Sequence, residues 1–92
     1  MEIVSLTGRL ICRNPSETDT VRALLPSHIH LTRAEQGCIS FEVQPTEDPL
    51  VWEVAERFVS PSAFHAHQQR VASSAWGQGT TGIQRDYRIE GL

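Results

Sequence analysis

"ERFVSPSAFHAHQQR", Glu56–Arg70, decides how the chain is read. As one long strand it would put His65 and His67 on the same side. As a helix it separates them. Ser60-Pro61 settles the matter: serine caps a helix start and proline favours the first helical position. The spacing therefore predicts a strand up to Val59 and a helix from Pro61. Residues two apart on a helix point roughly 160° away from each other. His65 and His67 then cannot share a metal, which on a helix needs histidines at i and i+4. His28 and His30 fail the same test. No cysteine pair stands at ligand spacing either, so no metal site is expected.

Working outward, "LVWEVAERFV" reads as the strand before this helix and "CISFEVQ" as the strand before that, joined by the turn "PTEDP". "EIVSLTGRLIC" is a first strand, with Val4, Leu6, Leu10 and Cys12 on one face. Pro15 stops it, and Ser16 or Thr18 is expected to cap a helix from Glu17 to Glu35. Val21, Leu24, Leu25, Ile29 and Leu31 set its apolar side. Pro26 should kink or split that helix, and Gly37 should terminate it. After the second helix, "GQGTTG" reads as a loop and "IQRDYRIEG" as the last strand. The order is βαββαβ, an α+β, ferredoxin-like arrangement of an antiparallel sheet with two helices on one face. Residues 1–92 form a single domain.

The third strand presents Trp52, Val54, Glu56 and Phe58 to one side and Val51, Glu53, Ala55, Arg57 and Val59 to the other. Neither set is cleanly polar. Ile83, Arg85, Tyr87 and Ile89 on the last strand are similarly mixed. We therefore expect helices on one face and a second subunit on the other, giving a homodimer. A chain of 92 residues also gains from the added burial.

The charge of −3 and the lack of a basic stripe argue against a nucleic-acid partner. All eight basic residues are arginine. The apolar runs are too short to span a membrane. No signal peptide is evident, and Cys12 and Cys38 read as reduced thiols of a cytoplasmic protein.

On the second helix His67 shares its face with Phe64 and Val71, the side that meets the sheet. His65 shares its face with Ser62, Gln68 and Gln69 and belongs to solvent. His67 is thus either a core-edge histidine or a proton-handling group in a cavity. Glu56 is a carboxylate among large apolar side chains and must be paired or protonated. Arg85, on the mixed face of the last strand, is one possible partner. Glu42 and Glu53 read as solvated or interfacial. With Tyr87 these groups can make an aromatic-walled pocket with a few polar atoms. The walls are assigned to Trp52, Phe41, Phe58, Phe64 and Trp76, with Arg85 as a substrate-orienting cation. Arg9 is a second inward candidate. No nucleophile elbow, phosphate loop or dinucleotide fingerprint is present.

Three segments, "RAEQGCISFEV", "DPLVWEVAERFVSPSAFHAH" and "RDYRIEGL", resemble the antibiotic biosynthesis monooxygenase domain, particularly its small bacterial, quinol monooxygenase-like members. The positions that carry the likeness are Glu35, Gly37, Cys38, Phe41, Asp48, Pro49, Glu56, Phe58, Ala63, His67 and Tyr87. Phe58 and Phe41 stand where many members have tryptophan and tyrosine. The resemblance implies a dimeric α+β barrel with a ligand cavity between sheet and helices. It also implies oxidation of small quinol- or phenol-type substrates by molecular oxygen without metal, haem or flavin. His67, Glu56 and Tyr87 would be the catalytic residues. Haem-degrading relatives fit less well: they use an asparagine on the first strand, whereas Asn14 here lies past it, and a tryptophan where this chain has His67. A non-oxygenase, either an isomerase or a binding protein using the same cavity, is the alternative.

Overall fold

The computed structural model describes residues 2–92. Four strands, β1 (Val4–Ile11), β2 (Cys38–Pro45), β3 (Val51–Phe58) and β4 (Gln84–Glu90), alternate with three helices, α1 (Pro15–Arg33), α2 (Pro61–Ala72) and α3 (Ala75–Gly79). The strands form one sheet in the order β2-β3-β1-β4. All three pairings are antiparallel. This is the ferredoxin-like βαββαβ arrangement, with α3 as a single extra turn before β4.

The inner face of the sheet carries Val4, Leu6, Leu10, Phe41, Val43, Trp52, Val54 and Phe58, which join Val21, Leu25, Phe64 and Trp76 of the helices in one core. Exposure alternates residue by residue along β3, sharper than its composition suggests. Outside lie Glu53 and Arg57, with Val51, Ala55 and Val59 as the only apolar residues. Registered rows bring opposite charges together there: Glu53 stands opposite Arg9, and Arg9 opposite Asp86. Arg9 is exposed, not inward. Among the described residues no helix is long and apolar enough to cross a membrane.

Four local expectations are corrected. The first helix begins at Pro15, not Glu17. Asn14 is its cap, and the Asn14 side chain accepts from the Glu17 N–H at 3.0 Å. Proline at the first helical position sacrifices only an N–H that had no partner. Thr18 is instead buried: its hydroxyl donates to the Pro49 carbonyl at 2.8 Å and accepts from Trp52 Nε1 at 3.4 Å. Pro26 does not split the helix, which continues to Arg33. It sits on the exposed side, where a carbonyl left without its N–H partner can be hydrated.

The "GQGTTG" segment is not all loop, because Ala75–Gly79 is helical and Ser74 caps it through the Gly77 N–H at 3.0 Å. A Cβ at Gly77 would lie 1.9 Å from the Val71 carbonyl oxygen. Glycine thus lets the turn fold back against α2.

Gly37 does not terminate α1; Ala34 is its C-cap. Its role is close approach, since a Cβ there would lie 2.3 Å from the Ala63 Cβ. The turn after α1 and the first turn of α2 touch backbone to methyl. Gly37→Ala should therefore cost about 1–3 kcal/mol by overpacking. Adding Ala63→Gly should recover most of this, less the ~1 kcal/mol that glycine costs in a helix. Urea unfolding of the two single variants and the double variant measures it; strictly additive losses would show that this contact does not set the packing.

Candidate active site

The buried stripe of α1 is Thr18, Val21, Leu25, His28 and Thr32. Its spacing of three and four residues follows one helix face. Three members are polar, and one of them, His28, lies among the aromatic rings of the core. His28 stacks on Trp76 with ring centroids 4.6 Å apart and planes 3° from parallel. Its edge meets Phe41 at 5.1 Å. Burial first, then the charges of His67, Arg70 and Arg85, lower its pKa to about 3, so the ring is neutral at physiological pH. Its Nδ1 is buried with no hydrogen-bond partner. Such an orphan costs about 1–3 kcal/mol.

His67 enters the same region from α2. It is 3% exposed, whereas His65 on the same helix is exposed. Its Nδ1 lies 2.7 Å from Glu35 Oε1. An ionised carboxylate only accepts, so Nδ1 carries the hydrogen and Nε2 keeps a free lone pair. Burial lowers the His67 pKa, while the bond to Glu35 opposes that shift. The Glu35 carboxylate also accepts from Arg70 Nε at 2.6 Å, and Arg70 Nη2 donates to Thr32 Oγ1 at 2.9 Å. This chain of bonds ties α1, the turn after it and α2 around one imidazole. His67 Nε2 faces Glu56 Oε1 at 3.7 Å, close enough for charge coupling and too far for a hydrogen bond.

Glu56 occupies the inner face of β3, opposite Leu6 and Phe41. Burial, then the nearby Glu35 charge, raises its pKa to about 7. Arg85 is not its partner. That guanidinium donates instead to the carbonyls of Thr80 and Ile83 and to Thr80 Oγ1, fastening β4 to the end of α3. The phenol of Tyr87 is half-buried, and its pKa is pushed up to about 12, mainly by burial, so it stays protonated.

A cavity of about 670 Å³ opens between the turn after α1 and the first half of α2. Glu35, Gly37, Val59, Ala63, His67 and Arg70 line it. A second, about 240 Å³, lies between α1 and α3, with His28, Arg70 and Trp76 on its wall. The expected aromatic walls are placed differently. Phe41, Trp52, Phe58 and Phe64 line neither cavity. They pack in the core behind His67, with Phe58 at 4.8 Å from the imidazole and 5.7 Å from Phe64. Trp76 alone of the assigned wall residues reaches a cavity. Glu35, Arg70 and His28 were not assigned to the site from the sequence. Glu35 and Arg70 meet only through pairings more than thirty residues apart. Among the described residues no group of three His, Cys, Asp or Glu side chains is arranged to hold a metal ion.

The Glu56 shift has a definite sign. Its folded pKa, about 7, exceeds its ordinary 4.5, so the folded state holds the proton more tightly. Wild-type stability therefore falls as pH rises from about 4.5 through 7 on this account. Glu56→Gln removes the ionisation. It should stabilise the protein more at pH 8 than at pH 5, by on the order of 2 kcal/mol between the two. Chemical denaturation at both pH values checks this; a difference independent of pH would show that Glu56 titrates as a solvated carboxylate.

The family model described as "Antibiotic biosynthesis monooxygenase" matches residues 13–78. No curated protein matches the sequence. Among solved structures, Rv0793 from Mycobacterium tuberculosis is similar over 98% of this chain and 94% of its own, with 24% identity and a TM-score of 0.74. PA3566 from Pseudomonas aeruginosa covers 100% and 93%, with 16% identity and a TM-score of 0.74. SO0527 from Shewanella oneidensis covers 97% and 87%, with 23% identity and a TM-score of 0.70. At these identities the structural likeness speaks for the fold. The family match spans the helix that carries His28, the Glu35 turn, and the strand–helix unit of Glu56 and His67. The chain belongs to the antibiotic biosynthesis monooxygenase family.

Proposed function

We propose that this protein is a monooxygenase of small electron-rich aromatic substrates, of the phenol or quinol kind. It uses molecular oxygen directly, with His67 as the base. One observation carries the reading. A buried, neutral imidazole on the wall of the 670 Å³ cavity has its Nδ1 held by Glu35, while its Nε2, 3.7 Å from Glu56 Oε1, has no partner within hydrogen-bond distance.

The chemistry needs little more. Nε2 accepts the phenolic proton, and the electron-rich anion reduces oxygen. One oxygen atom remains on the ring and the other leaves as water. A hydroquinone and one O₂ thus give a hydroxyquinone and water, with all electrons supplied by the substrate. Glu56, beside Nε2, offsets the charge of the imidazolium when ionised and can return a proton when neutral. Tyr87, kept protonated, lines neither of the two cavities. The aromatic core behind His67 keeps water from the anion.

A second reading draws on Glu56 alone. An acid with a pKa of about 7 next to a neutral histidine is also a pair suited to moving a proton between two carbons, as an isomerase does. Oxygen consumption separates the two: an isomerase turns over without air.

The second protomer of a dimer would pack on the outer face of the sheet, where Val51, Ala55 and Val59 lie among alternating charges. Light scattering after size exclusion should give about twice the 10.3 kDa chain mass. A monomer at micromolar concentration would refute the dimer.

The activity test is oxygen uptake with a panel of hydroquinones. His67→Ala should lower turnover by ~10²-fold or more, the usual loss of a general base. His65→Ala, which differs only in the direction it faces, should stay within a few-fold of wild type. Equal losses at both positions would remove His67 from the mechanism, and no oxygen uptake with any quinol would overturn the oxygenase reading.

A further inference from the structure

We propose that Arg70 is a positioning residue for His67: it holds the Glu35 carboxylate so that the imidazole carries its hydrogen on Nδ1 and presents Nε2 as the acceptor. This role rests on the reading of His67 as the base, but it is tested without substrate or oxygen.

Two carboxylates compete for this imidazole. Glu35 Oε1 lies 2.7 Å from Nδ1, and Glu56 Oε1 lies 3.7 Å from Nε2. A neutral ring has one N–H, so it can donate to only one of them. Hydrogen on Nε2 would direct the ring's donor at Glu56 and set the Nδ1 lone pair against the Glu35 oxygen. The tautomer is therefore decided by whether that oxygen stays in place. Glu35 sits in the turn after α1, and its side chain is 18% exposed, so water competes for it. Arg70 removes that freedom. Its Nε donates to Oε2 at 2.6 Å, leaving Oε1 for the imidazole. Each carboxylate oxygen has its own donor, and the two donors stand on one face of α2 at i and i+3. The guanidinium is itself braced, because Nη2 donates at 2.9 Å to Oγ1 of Thr32, a fully buried residue of α1. Arginine suits the task, since its planar fork fixes several N–H directions at once.

The charges around the ring give the arrangement a sign. His28 faces it from α1, Glu35 from the turn, Glu56 from β3 and Arg70 from its own helix. His28 is neutral at physiological pH. Arg70 acts on His67 in two opposite ways. Its charge lowers the His67 pKa directly, while the carboxylate that it holds raises it, and the carboxylate has the larger effect. Removing a cation ordinarily raises the pKa of a neighbouring histidine. Here removal should lower it, because Glu35 is released at the same time.

The test is nitrogen NMR of the histidine rings in the whole ligand-free protein, reading the tautomer and the pKa of His67. Wild type should favour Nδ1–H over Nε2–H by about tenfold or more, the scale of one hydrogen bond to a charged group. Arg70→Met removes every donor of the guanidinium. It should bring that ratio toward even and lower the His67 pKa. In a Glu35→Gln background the same substitution should raise the pKa, because only the direct repulsion is left to lose. An Arg70 that acts by its charge alone gives a higher pKa in both backgrounds and an unchanged tautomer, and that result overturns the proposal. So does a wild-type ring protonated on Nε2. If Arg70→Met does not fold, Thr32→Val frees the guanidinium without changing any charge. It should let the Nε2–H form appear, and a tautomer ratio equal to that of wild type overturns the proposal. No turnover is read, so a protein that holds the Nδ1–H tautomer yet consumes no oxygen would count against the oxygenase reading alone.

Discussion

The Glu35 carboxylate is the hinge of the molecule's polar interior. It accepts from His67 at 2.7 Å and from Arg70 at 2.6 Å, two residues nearly one turn apart on α2. Arg70 in turn reaches Thr32 on α1. A residue in the turn after α1 thereby fixes the rotation of α2 about its own axis. That rotation determines which of His65 and His67 faces inward. The close contact of Gly37 with Ala63 works toward the same end, since it brings the turn near enough for Glu35 to reach. Apolar packing alone would define α2 weakly, because Phe64 is the only buried apolar side chain it contributes. Polar bonds have directional requirements that apolar contacts lack.

Local chemistry in the sequence identified the strands, the Ser60-Pro61 helix start and the opposite orientations of His65 and His67. Each rests on periodicity or on a cap, and both are properties of neighbouring residues. What could not be read lay in two other classes. Glu35 and Arg70 acquire their roles from partners far along the chain. His28 escapes such a reading for a different reason: apolar residues define the expected face of α1, and Leu31 continues it. Leu31 is instead 47% exposed, and Thr18, His28 and Thr32 share the buried face with Val21 and Leu25. Following the three-four spacing from Val21 and Leu25 leads to His28 and Thr32 whatever their polarity, and that was the available signal. The one-turn helix α3 was hidden because its two glycines read as loop. In the fold they permit close approach to Val71 and Leu24.

The polar groups of the interior divide by protonation. His28 and His67 are held toward the neutral form by burial, Tyr87 is kept protonated, and Glu56 lies near its point of half-ionisation at neutral pH. Desolvation is the leading cause in all four cases. A region that disfavours charge has few fixed ions with which to stabilise a charged intermediate, but it raises the energy of any anion formed there. For an oxidisable phenolate that is useful, because a poorly solvated anion gives up an electron more readily. Water-filled sites lose that advantage.

The aromatic positions complete the argument. Phe41 and Phe58 are almost wholly buried. A phenol or indole there would bring its own hydrogen-bonding atom into the core. Phenylalanine brings none, so hydrogen bonding near the sheet falls to Glu56, Tyr87 and the two histidines. Among the described residues His28 Nδ1 has no hydrogen-bond partner, and His67 Nε2 has none within hydrogen-bond distance. Phenylalanines without polar atoms and two incompletely bonded imidazoles are thus complementary features of one interior. Its phenylalanine rings contribute shape and dryness but no hydrogen-bond direction.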